Sequence, residues 1–114
     1  MKKIKANLSI VGQDLQPTMK EVIGYYTEVV LNSGEVVRLV VHRDIVYQDS
    51  WAVSEFTTGM LVMCSGDLHD YTLAKTRASI LRQATDRMNG RPRIQDYIDS
   101  FLNRYKLEPV NTLS

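Results

Sequence analysis

The sequence predicts an α+β domain: an antiparallel sheet of four to five strands, built from hairpins, followed by two C-terminal helices packed on one face. Three observations carry this. Two apolar-rich hairpins centre on Asn32-Ser33-Gly34 and Thr57-Thr58-Gly59. Beyond them the apolar spacing lengthens to three and four residues, over 72–89 and again over 94–105. The 114 residues allow one core, so these elements must share it. Residues 1–108 are expected to form this single domain, with 109–114 as a loose tail.

Residues 3–11 alternate weakly and read as an edge strand, with Lys3 and Lys5 toward solvent. Residues 12–20, carrying Pro17, read as a loop. The hairpin EVIGYYTEVVLNSGEVVRLVVHRDI follows. A three-residue turn with Gly34 in the left-handed region pairs Val30 with Val36, Glu28 with Arg38 and Tyr26 with Val40. Opposite charges then fall directly across the strands, which supports the register. One face carries Ile23, Tyr25, Val29, Val37, Leu39 and Val41 and is expected in the core. The other carries Tyr26, Val30, Val36 and Val40 beside Glu28, Arg38 and His42. That face is too apolar for plain solvent, so another element or a partner covers it.

In WAVSEFTTGMLVMC, a Thr57-Thr58-Gly59 loop pairs Phe56 with Met60, Ser54 with Val62 and Ala52 with Cys64. Trp51, Val53, Leu61 and Met63 then share the core side. A two-residue Thr58-Gly59 turn would slip the register by one, and threonine tolerates positive φ poorly. The first helix is expected over 72–89, capped by Asp70 or Thr72 and stopped by Gly90. Pro92 suits the first turn of the second helix. Ile94, Tyr97, Ile98, Phe101, Leu102 and Tyr105 form its amphipathic stripe, and Pro109 closes it. Tyr97, Phe101 and Tyr105 are either core or the seam of a homodimer.

Composition excludes some classes. No apolar run approaches the roughly 20 residues a membrane helix needs, and 6–10 is too short and polar for the apolar region of a signal peptide. Cys64 is the sole cysteine, so no internal disulfide argues for secretion, and a cytoplasmic location is expected. Net charge is +1, yet it is polarised. Between Glu21 and Asp70, eight acids face only Arg38 and Arg43. Between Lys75 and Arg93, six bases face only Asp86. Such polarity either pairs an acidic sheet with a basic helix or steers a charged partner.

Candidate chemistry is sparse. His42, His69 and Asp70 supply two imidazoles and a carboxylate, ligand types that suit zinc or iron, but at no recognised spacing. Cys64 with either histidine would make a thiolate nucleophile, although its apolar strand favours a core role. The HRD triplet at 42–44 also occurs in protein-kinase catalytic loops, but every other kinase element is missing. No catalytic set and no cofactor is therefore expected. Lys75, Arg77, Arg82, Arg87, Arg91 and Arg93 are the candidates for contacting phosphates or an acidic partner, with Tyr25 or Tyr26 to stack bases. Tyr26, Val30, Val36, Arg38 and Val40 are the candidates for a protein interface.

Trp51, Val53, Ser54, Glu55, Thr58 and Gly59, leading into a helix with Ala74, Ala78 and Ala84, form a pattern over residues 51–84. It resembles the Trp-x-Val-Ser-Glu-x-x-Thr-Gly hairpin and alanine-rich helix of small phage and mobile-element accessory proteins. The resemblance implies roles such as inhibiting host defence systems or binding DNA. Neither the histidines nor the cysteine belong to it. The expected function is a non-enzymatic accessory protein that binds a protein partner, with nucleic-acid binding through 75–93 as the alternative and no membrane association.

Overall fold

The computed structural model describes residues 1–12, 16–45, 48–64, 76–91 and 93–113. Five strands, β1 (Lys2–Ile10), β2 (Thr18–Val30), β3 (Val36–Arg43), β4 (Trp51–Glu55) and β5 (Leu61–Cys64), form one antiparallel sheet in the order of the chain. Two helices, α1 (Arg77–Asn89) and α2 (Ile94–Tyr105), follow. The α+β class with helices after the sheet is as the sequence indicates. No described helix is long and apolar enough to cross a membrane.

The first hairpin has the expected register. Val30 faces Val36, Glu28 faces Arg38 and Tyr26 faces Val40, and Gly34 turns at φ 87°. β2 begins at Thr18, so the end of the expected loop is strand. The second hairpin departs from expectation. Ala52 faces Cys64, but Ser54 faces Leu61, and Val62 becomes the extra residue of a bulge. Glu55 N–H donates to the Met60 carbonyl at 2.8 Å, leaving a four-residue turn over 56–59. The cause is the Glu55 side chain. Its carboxyl oxygens accept from Thr57 N–H, Thr58 N–H and Thr58 Oγ1 at 2.8, 2.8 and 2.9 Å, winding the turn about a buried side chain. The bulge moves Leu61 from its expected core side to the partner face of Ser54.

α1 begins later than its apolar pattern suggested. Thr76 has extended backbone, and its hydroxyl accepts from Ser79 N–H at 3.1 Å, so it is the cap. Asp70 and Thr72, the expected caps, and Pro92 lie outside the described residues. α2 stops at Tyr105 because Lys106 turns left-handed at φ 54°, ahead of Pro109. The β2–β3 turn holds the start of α2: Glu35 accepts from Ile94 N–H and Gln95 N–H, both at 2.8 Å. A carboxylate there satisfies two orphan amides and meets the positive end of the helix.

Both helices cover one face of β3–β5. Leu31, Val37, Leu39, Val41 and Val53 pack there against Ile80, Ala84, Met88, Ile94 and Ile98. Ile23, expected in this core, is 60% exposed because β1 and β2 extend past the helices.

The sheet is not flat. β1 swings round to meet the β4–β5 turn: Ser9 N–H donates to the Gly59 carbonyl at 2.9 Å, and Ser9 Oγ donates to the Thr58 carbonyl. Two glycines permit the curl. A Cβ on Gly24 would stand 2.7 Å from Val40 Cγ1, and one on Gly59 would stand 2.5 Å from the Asn7 carbonyl oxygen. The C-terminal segment, expected to be loose, seals the junction. Asn111 Nδ2 donates to the carbonyls of Asn7 and Phe56, and its Oδ1 accepts from Asn7 N–H. Val110 N–H reaches the Thr57 carbonyl at 2.8 Å. Ala6, Val40 and Phe56 fill the concave face, with Ile4 and Tyr26 packed against them.

Candidate functional site

On the concave face Val40 stands opposite Ser54 and His42 opposite Ala52, which makes His42 and Ser54 diagonal neighbours. Ser54 Oγ–H donates to His42 Nε2 at 2.8 Å, and His42 Nδ1–H donates to the Arg43 carbonyl at 2.8 Å. A carbonyl only accepts, so it holds the proton on Nδ1 and leaves Nε2 as the acceptor. Burial lowers the imidazole pKa from its ordinary value, opposed by the Arg43 carbonyl and by Asp44. The ring is therefore neutral at neutral pH.

These two side chains floor a recess of about 490 Å³ between the ends of β1 and β5. Leu8, Ala52, Met60 and Cys64 line its walls, with Asp44 as the charged side chain among the described lining residues. Ile10, Val11, Ile45 and Leu61 also line it, yet stay between 40% and 52% exposed. They form an apolar rim. The curl of β1 creates this mouth, because it brings Ile10 and Val11 across from Leu61.

The Ser54–His42 bond has the polarity of a nucleophile and its base. Ser54 is 1% exposed, and its hydroxyl anchors the ring. Cys64 lines the same recess and is half-buried. The pairing with His42 considered from sequence does not form, because both ring nitrogens are engaged by Ser54 and Arg43. For the metal reading, His69 and Asp70 lie outside the described residues. Among the described residues no group of three or more His, Cys, Asp or Glu side chains converges.

The expected protein interface divides. Val40 is 1% exposed and belongs to the concave core, since the curl buries the face that a flat sheet would offer. Tyr26 is half-buried, edge-on to Phe56 at 5.1 Å, and donates to Glu28 at 2.7 Å. Arg38 donates to Thr57 Oγ1 at 3.0 Å and lies 5.4 Å from the Phe56 ring centre. Val30 and Val36 remain 68% and 55% exposed at the hairpin end.

The expected basic face also divides. Successive arginines at 77, 82 and 87 are about 140° apart round an α-helix, so no one side holds them. The Arg77 guanidinium lies 4.1 Å over the Tyr25 ring, Arg82 is exposed, and Arg87 Nη1 approaches Met63 Sδ at 3.7 Å. Arg91 lies 5.8 Å from the Tyr97 ring centre, and Arg93 makes an exposed 3.9 Å ion pair with Asp96. Lys75 lies outside the described residues. The helix stripe is mixed as well: Phe101 is buried and meets half-buried Tyr105 at a tilt, ring centres 5.0 Å apart, while Tyr97 is exposed.

Sequence reasoning missed the mouth and the Ser54–His42 pair. Both depend on the β3–β4 register and on the curl, and no local residue pattern states either. No protein-family model, curated protein or solved structure matches the chain.

Proposed function

We propose that this chain acts by binding a protein partner, without catalysis of its own, and that the partner inserts an apolar side chain into the mouth. The observation that carries this is the rim of Ile10, Val11, Ile45 and Leu61 around the apolar recess. Clustered exposed apolar side chains at a concave site are a binding surface in the making. Full burial of such a side chain contributes about 1.5–3 kcal/mol, so burying the exposed half of four contributes about 3–6 kcal/mol. An inserted aromatic anchor adds about 2–3 kcal/mol more, enough to offset the lower range of association costs. The open, proud rim suits a partner's surface better than a small ligand, which is usually enclosed. The resemblance of residues 51–84 to mobile-element accessory proteins directs the search toward host defence components, with inhibition as the outcome.

The test is co-purification from the host with three forms of the protein. Wild type and Val36→Asp should retain the same partner, and Leu61→Asp should lose it while keeping its circular dichroism spectrum. A folded Leu61→Asp that still holds the partner would remove the mouth as the site.

A further inference from the structure

The convex face of β1–β4 carries a second surface, which the helices leave partly uncovered. Tyr25 and Trp51 meet edge to face with ring centres 6.2 Å apart. The Arg43 guanidinium lies 4.0 Å above Trp51; that of Arg77 lies 4.1 Å above Tyr25 and 5.8 Å from Trp51. Lys3 and Lys5 stand opposite Tyr25 and Ile23 in the strand register, so they project from the same face as the rings. The exposure of Ile23 marks this stretch as open. Four cations thus surround two aromatic rings. Among the described residues, the acids along this stretch are Glu21, opposite Asn7, and Asp49, whose backbone carbonyl accepts from Arg43 Nη1 at 3.4 Å.

The guanidinium carbons of Arg43 and Arg77 lie 4.0 and 4.1 Å over the two rings, with Arg43 exposed and Arg77 half-buried, so both offer a planar cation to a ligand. A planar cation of this kind takes a nucleobase on its flat side and a phosphate on its edge. We propose that this patch binds single-stranded nucleic acid, with bases stacked on Arg43 and Arg77 and the phosphate backbone running to Lys3 and Lys5. A phosphopeptide would answer the charge but would leave the flat cation surfaces unused. A duplex hides the faces of its bases within the stack. The site is therefore on the sheet and the first turn of α1, and Arg77 alone of the described arginines at 77–93 takes part. It is independent of the mouth, which opens on the concave face.

Trp51 is the sole tryptophan, so its fluorescence reports directly on the patch. Titration with a short oligothymidylate should quench it. Binding should weaken with salt along a log–log slope near −3, from about −0.7 for each of four phosphate contacts. Arg43→Ala/Arg77→Ala should bind about tenfold more weakly or worse. Arg77→Lys keeps the charge but not the flat stack and should fall between the double variant and wild type. Arg82→Ala, on another side of α1, should bind as wild type does. If the double variant fails to fold, Lys3→Ala/Lys5→Ala decides through the salt slope, which should drop by about 1.4. No quenching at low salt would overturn the proposal. So would heparin, duplex and oligothymidylate binding alike with Arg77→Lys unchanged, since that is charge without stacking.

Discussion

Asn111→Ala tests whether the C-terminal segment closes the curled sheet. The side chain makes three hydrogen bonds: to the Asn7 carbonyl at 2.9 Å, to the Phe56 carbonyl at 2.7 Å, and from Asn7 N–H at 2.6 Å. Truncation removes all of them. Each bond contributes about 0.5–1.5 kcal/mol net, and a buried group left without a partner costs about 1–3 kcal/mol. Asn7 is half-buried, so water replaces part of its loss, whereas the bond to Phe56 is buried. The sum is about 2–4 kcal/mol, out of a total near 5–15 kcal/mol for a domain. Thermal unfolding should shift down by roughly 10 °C. Asn111→Asp preserves shape but turns an acceptor toward two carbonyls, so it should cost at least as much. Urea unfolding measures the energy. Amide exchange at Ser9 and Val110, which bond to the carbonyls of Gly59 and Thr57, reads the closure itself. A loss under about 0.5 kcal/mol for Asn111→Ala, with both amides still protected, would refute the strap.

Three further outcomes follow from polar side chains that the fold engages. Glu55→Gln exchanges one acceptor oxygen for a donor group within the three-donor cradle and should cost about 1.5–3 kcal/mol in urea unfolding. Glu35→Ala uncaps α2 and should cost about 0.5–2 kcal/mol, with amide exchange rising at Ile94 and Gln95. His42 is held neutral, so the unfolded chain takes up a proton first, at its ordinary pKa of about 6.5. The native state keeps this contribution above that pH and loses it as pH falls toward the lowered folded value. Urea midpoints measured downward from pH 7.5 should therefore drop near about pH 6.5 and below in wild type, and more shallowly in His42→Gln. Equal slopes would assign the dependence to other groups.

Legibility in the sequence followed the range of the interactions. The β2–β3 register could be read because Gly34 fixes the turn and Glu28 and Arg38 face one another four residues away from it on either side. The β4–β5 register could not, although the turn residues were identified. Glu55 folds its carboxylate over Thr57 and Thr58, and this local competition with the ladder displaces Val62 into a bulge. Ala78, Leu81, Ala84 and Met88 announced α1, but helical spacing cannot say that Thr76 turns extended and caps it. The curl was invisible, since it rests on Gly59 touching Asn7 and Ser9 and on Asn111 reaching back to β1. The segment from Pro109 onward looks like a tail because its composition is loop-like; what holds it, Asn7, Phe56 and Thr57, lies far away in the sequence.

The curl also explains why one sheet offers two unlike surfaces. In a strand, successive side chains take opposite faces. Ile4, Ala6, Leu8 and Ile10 turn inward along β1, from the concave core to the rim of the mouth, while Lys3 and Lys5 turn outward beside Tyr25. On β3, His42 turns to the floor of the recess and Arg43 to the ring of Trp51. A flat sheet would have exposed the first set and left Val40 as an interface, which is how the alternation reads without the closure. Joining β1 to the β4–β5 turn buries the middle of that apolar face and concentrates what remains at one end. A substitution that opens the closure, such as Asn111→Ala, should therefore blunt the mouth without touching the convex patch. Partner capture falling while Trp51 quenching by oligothymidylate persists would separate the two surfaces in a single variant.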